Sequence, residues 1–347
     1  MLYQPLIVAD GELARGASVA RALGSDFVAD VLEAGQRQLE KAPEVHRMIA
    51  DWPGDPARAA VAMRFNGALH ALARRGDIPS LTALYKTRSG DFDGPIGDAL
   101  SRESAAIASW MERPPQTNEV GRAAAIVAAL TVAQGTEDLP IELLEIGASA
   151  GLNLNLGLYG YDLGGVPLGD AHSRVRIAPS WTGPAIRPAR LDIVSARGVD
   201  LDPLDPADEA TRERLLAYVW ADQPARAERL SQAIAVAQRH PPRIDRQDAA
   251  SWLTARLSQP QDDGVCRVIF HSMVLQYLSA GDRTLVRQTI EAAGAHATAR
   301  RPLVRIGYEW NPARTAVRLQ MTRWPEGITH DLASCHAYGA WIDWSGP

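Results

Sequence analysis

Residues 143–154 read LLEIGASAGLNL, and this stretch decides the fold. Its apolar residues predict a short buried strand of a parallel sheet that ends at Ile146. Gly147 and Gly151 allow the backbone to turn sharply and to approach a ligand closely. A helix is expected to begin near Ala150, with its free N–H groups and positive dipole end directed at that ligand. The stretch therefore predicts a site for an anion or a nucleoside.

Glu145 and Ser149 give this stretch more than one functional interpretation. Glu145 interrupts the apolar run, and a buried carboxylate is costly unless a ligand, water or partner meets it. The pattern E-x-G-x-x-x-G resembles the first motif of class I S-adenosylmethionine-dependent methyltransferases. The pattern G-x-S-x-G is typical of serine hydrolases, with Ser149 as the nucleophile. The dinucleotide pattern G-x-G-x-x-G is absent, and a turn that only joins strand to helix is a further alternative.

Composition limits the classes of partner. The 347 residues carry a net charge of -5 and 46% hydrophobic residues, with a pI near 5.9. Such a charge argues against binding to nucleic acid or to anionic membranes through bulk electrostatics, so a small-molecule substrate is expected. Cys266 and Cys335 have neither metal-type spacing nor the number typical of a disulfide scaffold, which favours a reducing cytoplasm and predicts no metal site. The first residues, MLYQPLIVADGELARG, lack the features of a secretion signal, and no run is long enough for a membrane span.

The first part of the chain is predicted to be entirely helical. Its Ala-rich segments have a 3.6-residue period, with helices expected at residues 26–40, 79–85 and 98–111 and another ended by Gly76. We expect residues 1–116 to form a helical N-terminal domain that covers the site, and residues 117–347 to form a Rossmann-like domain. Asn66 and His70 share one helical flank, either reaching into a cleft together or making ordinary structural contacts.

Arg122 is the first candidate for the cofactor site. It lies in the opening turns of a helix that is expected to run from Thr117 or Asn118 to about Gln134. An arginine there could form a bidentate pair with a carboxylate, such as that of a bound methionine. The alternatives are a solvated side chain or a pair with Glu119, one turn away.

Acidic residues follow two further predicted strands. Asp200 ends the segment 191–199 and suits the two hydroxyls of a ribose, with Asp202 and Asp205 as rivals. Each of these aspartates is also suited to capping the next helix, because Asp-Pro repeats are ordinary turn chemistry. Asp248 follows a short strand near Ile244, where it could meet an adenine amino group or cap a helix.

Two catalytic candidates end the fourth and fifth predicted strands, at residues 266–270 and 303–308. His271 is suited to act as a general base at neutral pH, with an ordinary structural histidine as the alternative. Glu309 is the next candidate. Alternating strands and helices predict a doubly wound, mostly parallel sheet closed by an antiparallel pair, with ligands outside the carboxyl ends of its strands. Glu145, Asp200, His271 and Glu309 all fall at those ends.

Several motifs together resemble a bacterial domain family of unknown function. They are RFNGALHAL from Arg64, TNEVGRAA from Thr117, LLEIGASAGLNL from Leu143, YVWADQPARAERL from Tyr218, FHSMVLQYL from Phe270 and HAYGAWIDW from His336. That family resembles class I methyltransferases with a helical N-terminal extension. The resemblance implies an α/β fold and S-adenosylmethionine as cofactor, with Glu145, Gly147 and Gly151 at the methionine end, Asp200 at the ribose and Asp248 at the adenine. Ser149, in the same turn, is a further cofactor-binding candidate.

We therefore expect methyl transfer to an unidentified small molecule. The first alternative is a serine hydrolase that uses Ser149, with Asp200 or Asp248 and with His271 or His296. It is disfavoured because helices are predicted where a hydrolase needs several strands before its serine. The second alternative is a protein that binds a nucleoside cofactor without catalysis. The acceptor atom and the oligomeric state are not predicted.

Overall fold

The computed structural model describes residues 11–135 and 138–347. The predictions made on the first ten residues lie outside this part of the chain. The described chain divides into two compact units. We call them the helical unit, made of residues 11–117 and Asp208–Glu228, and the sheet unit, made of the described residues of Asn118–Ala207 and Arg229–Pro347.

The elements of the described residues are as follows. The α-helices are α1 Glu12–Ala22, α2 Asp26–Gln38, α3 Pro43–Ala50, α4 Val61–Arg75, α5 Pro79–Thr87, α6 Asp93–Met111, α7 Ala123–Gln134, α8 Glu209–Ala217, α9 Pro224–Arg239, α10 Ala249–Leu257 and α11 Ala280–Gly294. The strands are β1 Ile141–Ile146, β2 Gly160–Leu163, β3 Val166–Gly169, β4 Arg176–Ile177, β5 Ser180–Thr182, β6 Ile193–Asp200, β7 Ile244–Arg246, β8 Cys266–Ser272, β9 Leu303–Trp310, β10 Val317–Trp324, β11 Ile328–Cys335 and β12 Trp341–Trp344. Short 3₁₀ helices cover Leu39–Lys41, Val120–Arg122, Leu152–Leu158 and Leu275–Tyr277.

The helical unit is built from α1 to α6 together with α8. Gly76 ends α4 at a φ of 84°, as its sequence position predicts. In the sequence, Asp55 and Pro56 form an N-cap and first-turn pair that predicts an earlier start for this helix. α4 instead begins at Val61, because Ala60 has a φ of 55° and interrupts the helical backbone. The sequence-based division at residue 117 puts Asp208–Glu228 in the second domain, whereas this segment clusters with the helical unit. The contacts of Asp208–Glu228 are with residues far away in the sequence, so no local sequence pattern predicts that this segment joins the helical unit.

The sheet unit contains a mixed, mostly parallel sheet of nine strands. Its order is β5-β12-β11-β10-β9-β8-β1-β6-β7. The strands from β9 to β7 are all parallel, which confirms the predicted large, mostly parallel α/β sheet in its general form. The chain then closes with three antiparallel strands, β10, β11 and β12, rather than the predicted pair. No helix in the described residues is both long and apolar enough to cross a membrane.

The connection from β1 to β6 differs from the expectation. No α-helix begins at Ala150, and residues 147–192, all described, contain instead the 3₁₀ helix Leu152–Leu158, the small sheet β3-β2-β4 and β5. Two buried tyrosines hold this segment, because Tyr159 donates to Leu152 O at 2.5 Å and Tyr161 donates to Leu156 O at 2.7 Å. The prediction of an α-helical dipole directed at the ligand is therefore wrong.

The two faces of β1 have different surroundings. Leu144 and Ile146 belong to an apolar cluster that includes Trp252 of α10 and Ile290 of α11. Because side chains alternate along a strand, Glu145 points to the opposite face. That alternation places a carboxyl group inside the protein, away from the apolar cluster.

Candidate functional site

The carboxyl ends of the parallel strands meet at one edge of the sheet. Strand register places Ile146 beside Val199 of β6 and beside His271 of β8. The next pair, His271 with Gly307, brings β9 to the same level. The predicted site residues at this edge are Glu145, Asp200, His271 and Glu309.

Glu145 is a buried carboxyl group that lacks a full set of partners. The residue is 1% exposed, and its Oε2 has no hydrogen-bond partner among the described residues. Asn153 hydrogen-bonds to the carboxyl group, yet its own Oδ1 is also buried and has no partner in this part of the chain. Burial first, and the charge of Asp200 second, raise the pKa of Glu145 well above its ordinary value. Glu145 Oε2 and Asn153 Oδ1 are therefore two buried acceptor atoms without a hydrogen-bond donor among the described residues.

Arg122 lies at the same edge and is oriented by two backbone carbonyl groups. It ends the 3₁₀ helix Val120–Arg122 and is 8% exposed. Its Nε donates to Ala337 O at 3.0 Å, and its Nη1 donates to Ser272 O at 3.3 Å. Its other terminal nitrogen, Nη2, has no hydrogen-bond partner within the described residues. The charge of Arg122 acts on Glu145 and lowers the pKa of that carboxyl group, against the larger effect of burial.

Asp200 and Ser149 close the glycine turn. Ser149 has a φ of 56° and donates its backbone N–H to Asp200 Oδ2 at 2.8 Å. The other oxygen of Asp200 accepts the N–H of Asp202 at 2.9 Å. Among its rivals, Asp202 pairs with Arg246 at 2.8 Å and Asp205 accepts the N–H of Ala207 at 2.8 Å. Asp200 therefore touches the turn through Ser149, and its contact with a ribose stays a prediction.

Gly147 and Gly151 both need the backbone freedom of glycine, with φ values of 72° and 68°. A Cβ atom at Gly147 would lie 2.4 Å from Cγ2 of Val274. A Cβ atom at Gly151 would lie 2.6 Å from Cβ of Pro242, with Ile244 close behind. Protein side chains thus fill the space beside each glycine. A substitution at Gly151 is expected to disturb packing before it disturbs a ligand.

Asp248 caps α10. Its Oδ1 accepts the backbone N–H of Ser251 at 2.8 Å, and this hydrogen bond lowers the pKa of Asp248 more than any other contact. Asp248 is therefore a helix cap, as one of the two alternatives predicts. An additional contact with adenine stays a prediction.

His271 lies in a chain of hydrogen bonds inside the sheet unit. The residue is 0% exposed, and its Nδ1 lies 2.8 Å from Glu309 Oε1. Its Nε2 accepts a hydrogen bond from Nε of Arg305 at 3.3 Å. Burial is the main cause that lowers the pKa of His271. The ring is thus neutral and uses both nitrogens within the protein, a setting typical of the structural alternative. Its role as a general base stays a prediction.

Sequence reasoning missed three site residues: Asn153, Asn118 and Arg305. Asn118 accepts the N–H of Leu152 at 3.0 Å, whereas the sequence predicts Thr117 or Asn118 as the cap of the helix before β1, and that α-helix begins only at Ala123. Only Arg305 has a visible signal, since it interrupts an apolar strand just as Glu145 does. The two asparagines act through contacts between segments that local patterns do not reveal.

Asn66 and His70 belong to the helical unit. His70 donates through Nδ1 to Ala217 O at 3.0 Å and stacks on Tyr85 with ring centroids 5.2 Å apart. Burial is the largest cause that lowers the pKa of His70 to about 4. His70 therefore makes structural contacts, while Asn66 Oδ1 is buried without a hydrogen-bond partner among the described residues.

The described residues contain no group of three or more His, Cys, Asp and Glu side chains able to hold a metal ion.

A family model described as "Uncharacterized protein conserved in bacteria (DUF2332)" matches residues 11–344, and the chain belongs to that family. No curated protein and no solved structure matches the chain.

Proposed function

We propose that the sheet unit of this bacterial family member binds S-adenosylmethionine and transfers its methyl group to a small molecule. The observation that carries the proposal is the buried carboxyl group of Glu145, whose Oε2 has no hydrogen-bond partner among the described residues. A buried unsatisfied acceptor is costly, and such costs are typical of functional sites. An ammonium group would supply the missing donors.

The surrounding groups fit the zwitterionic end of an amino acid. Glu145 and Asn153 offer buried acceptor oxygens for an ammonium group. Arg122 offers the donors of Nη2 for a carboxylate, while carbonyl groups at Nε and Nη1 fix the plane of its guanidinium group. Opposite charges at one strand edge therefore match a ligand that carries both charges on one carbon atom.

Asp200 supports the nucleoside end of the same ligand. It ends β6, the strand that pairs with β1 on the side away from β8. Each of its oxygens accepts one backbone N–H group, and a carboxylate oxygen has capacity for about two hydrogen bonds. The hydroxyl groups of a ribose would use the remaining capacity. Asp248 follows β7, the strand that pairs with β6 on its other side. We therefore assign Asp248 to the adenine, one strand further along the same edge.

The chain contributes binding and orientation to the reaction. When bound, the cofactor supplies an electrophilic methyl group on its sulfonium. Glu145 and Arg122 would fix the direction of that methyl group, and an acceptor held in line at about 3 Å gains most of its rate from proximity. We assign His271 no proton transfer, because both of its ring nitrogens are engaged inside the protein.

A specific observation also favours the hydrolase alternative. Ser149 is the third residue after β1 and has a φ of 56°, as in the strained turn that carries a nucleophilic serine. Against it, the described residues before β1 contain helices and no strand, whereas a hydrolase sheet needs several strands at that point. The hydrolase therefore ranks second.

Calorimetric titration with two ligands tests the proposal. S-adenosylmethionine should bind, and 5′-methylthioadenosine, which has the nucleoside but neither the ammonium nor the carboxylate group, should bind about 100-fold more weakly, as expected for loss of two charge-assisted contacts. Absence of S-adenosylmethionine binding up to about 1 mM, where about 4 kcal/mol still registers, would contradict the proposal. Binding without formation of S-adenosylhomocysteine, in the presence of small-molecule extracts, would favour the non-catalytic alternative.

A further inference from the structure

The turn after β8 touches two separate parts of the candidate site. We define this β8 turn as residues 272–275. Its first carbonyl group, Ser272 O, accepts the hydrogen bond from Arg122 Nη1 at 3.3 Å. Its third residue, Val274, packs closely on Gly147. A Cβ atom added at Gly147 would lie 2.4 Å from Val274 Cγ2. The position of the turn therefore affects both Arg122 and the backbone that follows Glu145.

The β8 turn has a backbone conformation that needs external support. Met273 has a φ of 58°, in the left-handed region that residues with a side chain rarely adopt. Glu309 Oε1 accepts the N–H of Val274 at 3.1 Å and that of Leu275 at 3.4 Å. One carboxylate oxygen thus joins two consecutive N–H groups of the turn to β9.

His271 and Arg305 set the direction of the hydrogen bonds around Glu309. An arginine Nε–H group can only donate, so Nε2 of His271 must be the acceptor in its contact with Arg305. In a neutral ring, the proton is then on Nδ1 and is donated to Glu309 Oε1 at 2.8 Å. Glu309 Oε1 therefore receives three N–H donors, one from His271 just before the turn and two from Val274 and Leu275 within it.

We infer that Glu309 is a positioning residue for cofactor binding. Through the β8 turn it holds Arg122 and Gly147 in the geometry that the cofactor requires. His271 and Arg305 keep the Glu309 carboxylate in place. This inference rests on the proposed function for its ligand, and it assigns Glu309 and His271 a role in positioning rather than in proton transfer.

Two substitutions at Glu309 and one control test the inference. Glu309→Ala removes the acceptor for all three N–H groups and should weaken S-adenosylmethionine binding by about tenfold or more. Glu309→Gln keeps an acceptor oxygen without the charge, so it should weaken binding by only about threefold. The control is Glu326→Gln, because Glu326 is exposed, pairs with Arg323 at 3.0 Å and lies in the turn between β10 and β11. It should bind within about twofold of wild type.

Hydrogen exchange measures how well the β8 turn is held in the absence of any ligand. The amides of Val274 and Leu275 should exchange about tenfold faster in Glu309→Gln than in wild type, while amides in the β10 strand keep their rates. Titrations are made well below the melting temperature of each variant, so a merely structural role would lower stability and leave affinity unchanged. Partial rescue by glutamine relative to alanine is the expected signature of positioning.

The outcomes separate this inference from the proposed function. A folded Glu309→Ala variant that binds S-adenosylmethionine within twofold of wild type overturns the inference. If the alanine variant does not fold, Glu309→Gln decides, and unchanged exchange at Val274 and Leu275 overturns the inference. If wild type binds no S-adenosylmethionine, the proposed function fails, and the exchange rates alone decide whether Glu309 holds the turn.

Discussion

Glu145 and Glu309 are both glutamates at the carboxyl edge of the sheet, but their surroundings are opposite. Glu309 Oε1 accepts hydrogen bonds from the ring of His271 and from two backbone N–H groups. Glu145 is 1% exposed, and its Oε2 has no hydrogen-bond partner among the described residues. A satisfied carboxylate stabilises the structure around it. A buried carboxyl group without donors lowers stability unless a ligand supplies them.

Because of this difference, we expect Glu309 and Glu145 to have different roles. Glu309 is part of the supporting structure, and its loss should act indirectly through the β8 turn. Glu145 is expected to contact the ligand itself, and its loss should act directly. Both kinds of effect are measured with the same ligand.

The largest expected effect is that of Glu145→Gln on cofactor affinity. The substitution removes the charge that the ligand's ammonium group requires, so affinity should fall by about 100-fold, near 2.7 kcal/mol. The matched control is Glu142→Gln on the same strand, because Glu142 pairs with Arg267 at 2.7 Å. Calorimetry with both variants provides the comparison. Equal affinities of the two variants would place the ligand away from Glu145.

Arg122→Lys should have a smaller effect on the same affinity. Lysine keeps the charge but loses the planar guanidinium group that the two backbone carbonyl groups orient, so a loss of about tenfold is expected. Arg318→Lys is the control, because Arg318 donates to Ser334 Oγ at 2.8 Å in an exposed contact. If Arg122→Lys binds as tightly as this control, the carboxylate of the ligand lies elsewhere.

Ser149→Ala is expected to have the smallest effect. The contact of Ser149 with Asp200 uses its backbone N–H, which alanine retains, so cofactor affinity should stay within about twofold. A serine-directed fluorophosphonate should not label wild type. Stoichiometric labelling that disappears in Ser149→Ala would instead support the hydrolase alternative.

The sequence predicts the regular elements better than it predicts the contacts among them. The apolar runs place β1, β8 and β9 correctly, because buried strands leave a continuous hydrophobic signal. The connection after Gly151 is different. It contains a 3₁₀ helix and a small sheet held by tyrosine hydroxyl groups, and such hydrogen bonds have no period in the sequence.

The site shows the same limit. Glu145 is visible in the sequence because a charged residue interrupts an apolar strand. Its lack of a donor depends on how Asn153 and Arg122 approach it from other segments. Likewise, His271 is predicted at a strand end, but its engagement by Arg305 and Glu309 follows only from the parallel pairing of β8 with β9.

Thermal unfolding of wild type and Glu145→Gln at pH 8, with and without saturating S-adenosylmethionine, tests the central claim most directly. Burial raises the pKa of Glu145 above 4.5, so the stability that its protonated form contributes is complete below that pH and is lost as pH rises through the raised pKa. Glutamine has no such loss. We predict that, without ligand, the variant melts about 2 °C or more above wild type, and that the ligand raises the melting temperature of wild type by more than that of the variant. A variant that is less stable without ligand, or equal ligand-induced shifts in both proteins, would contradict the account.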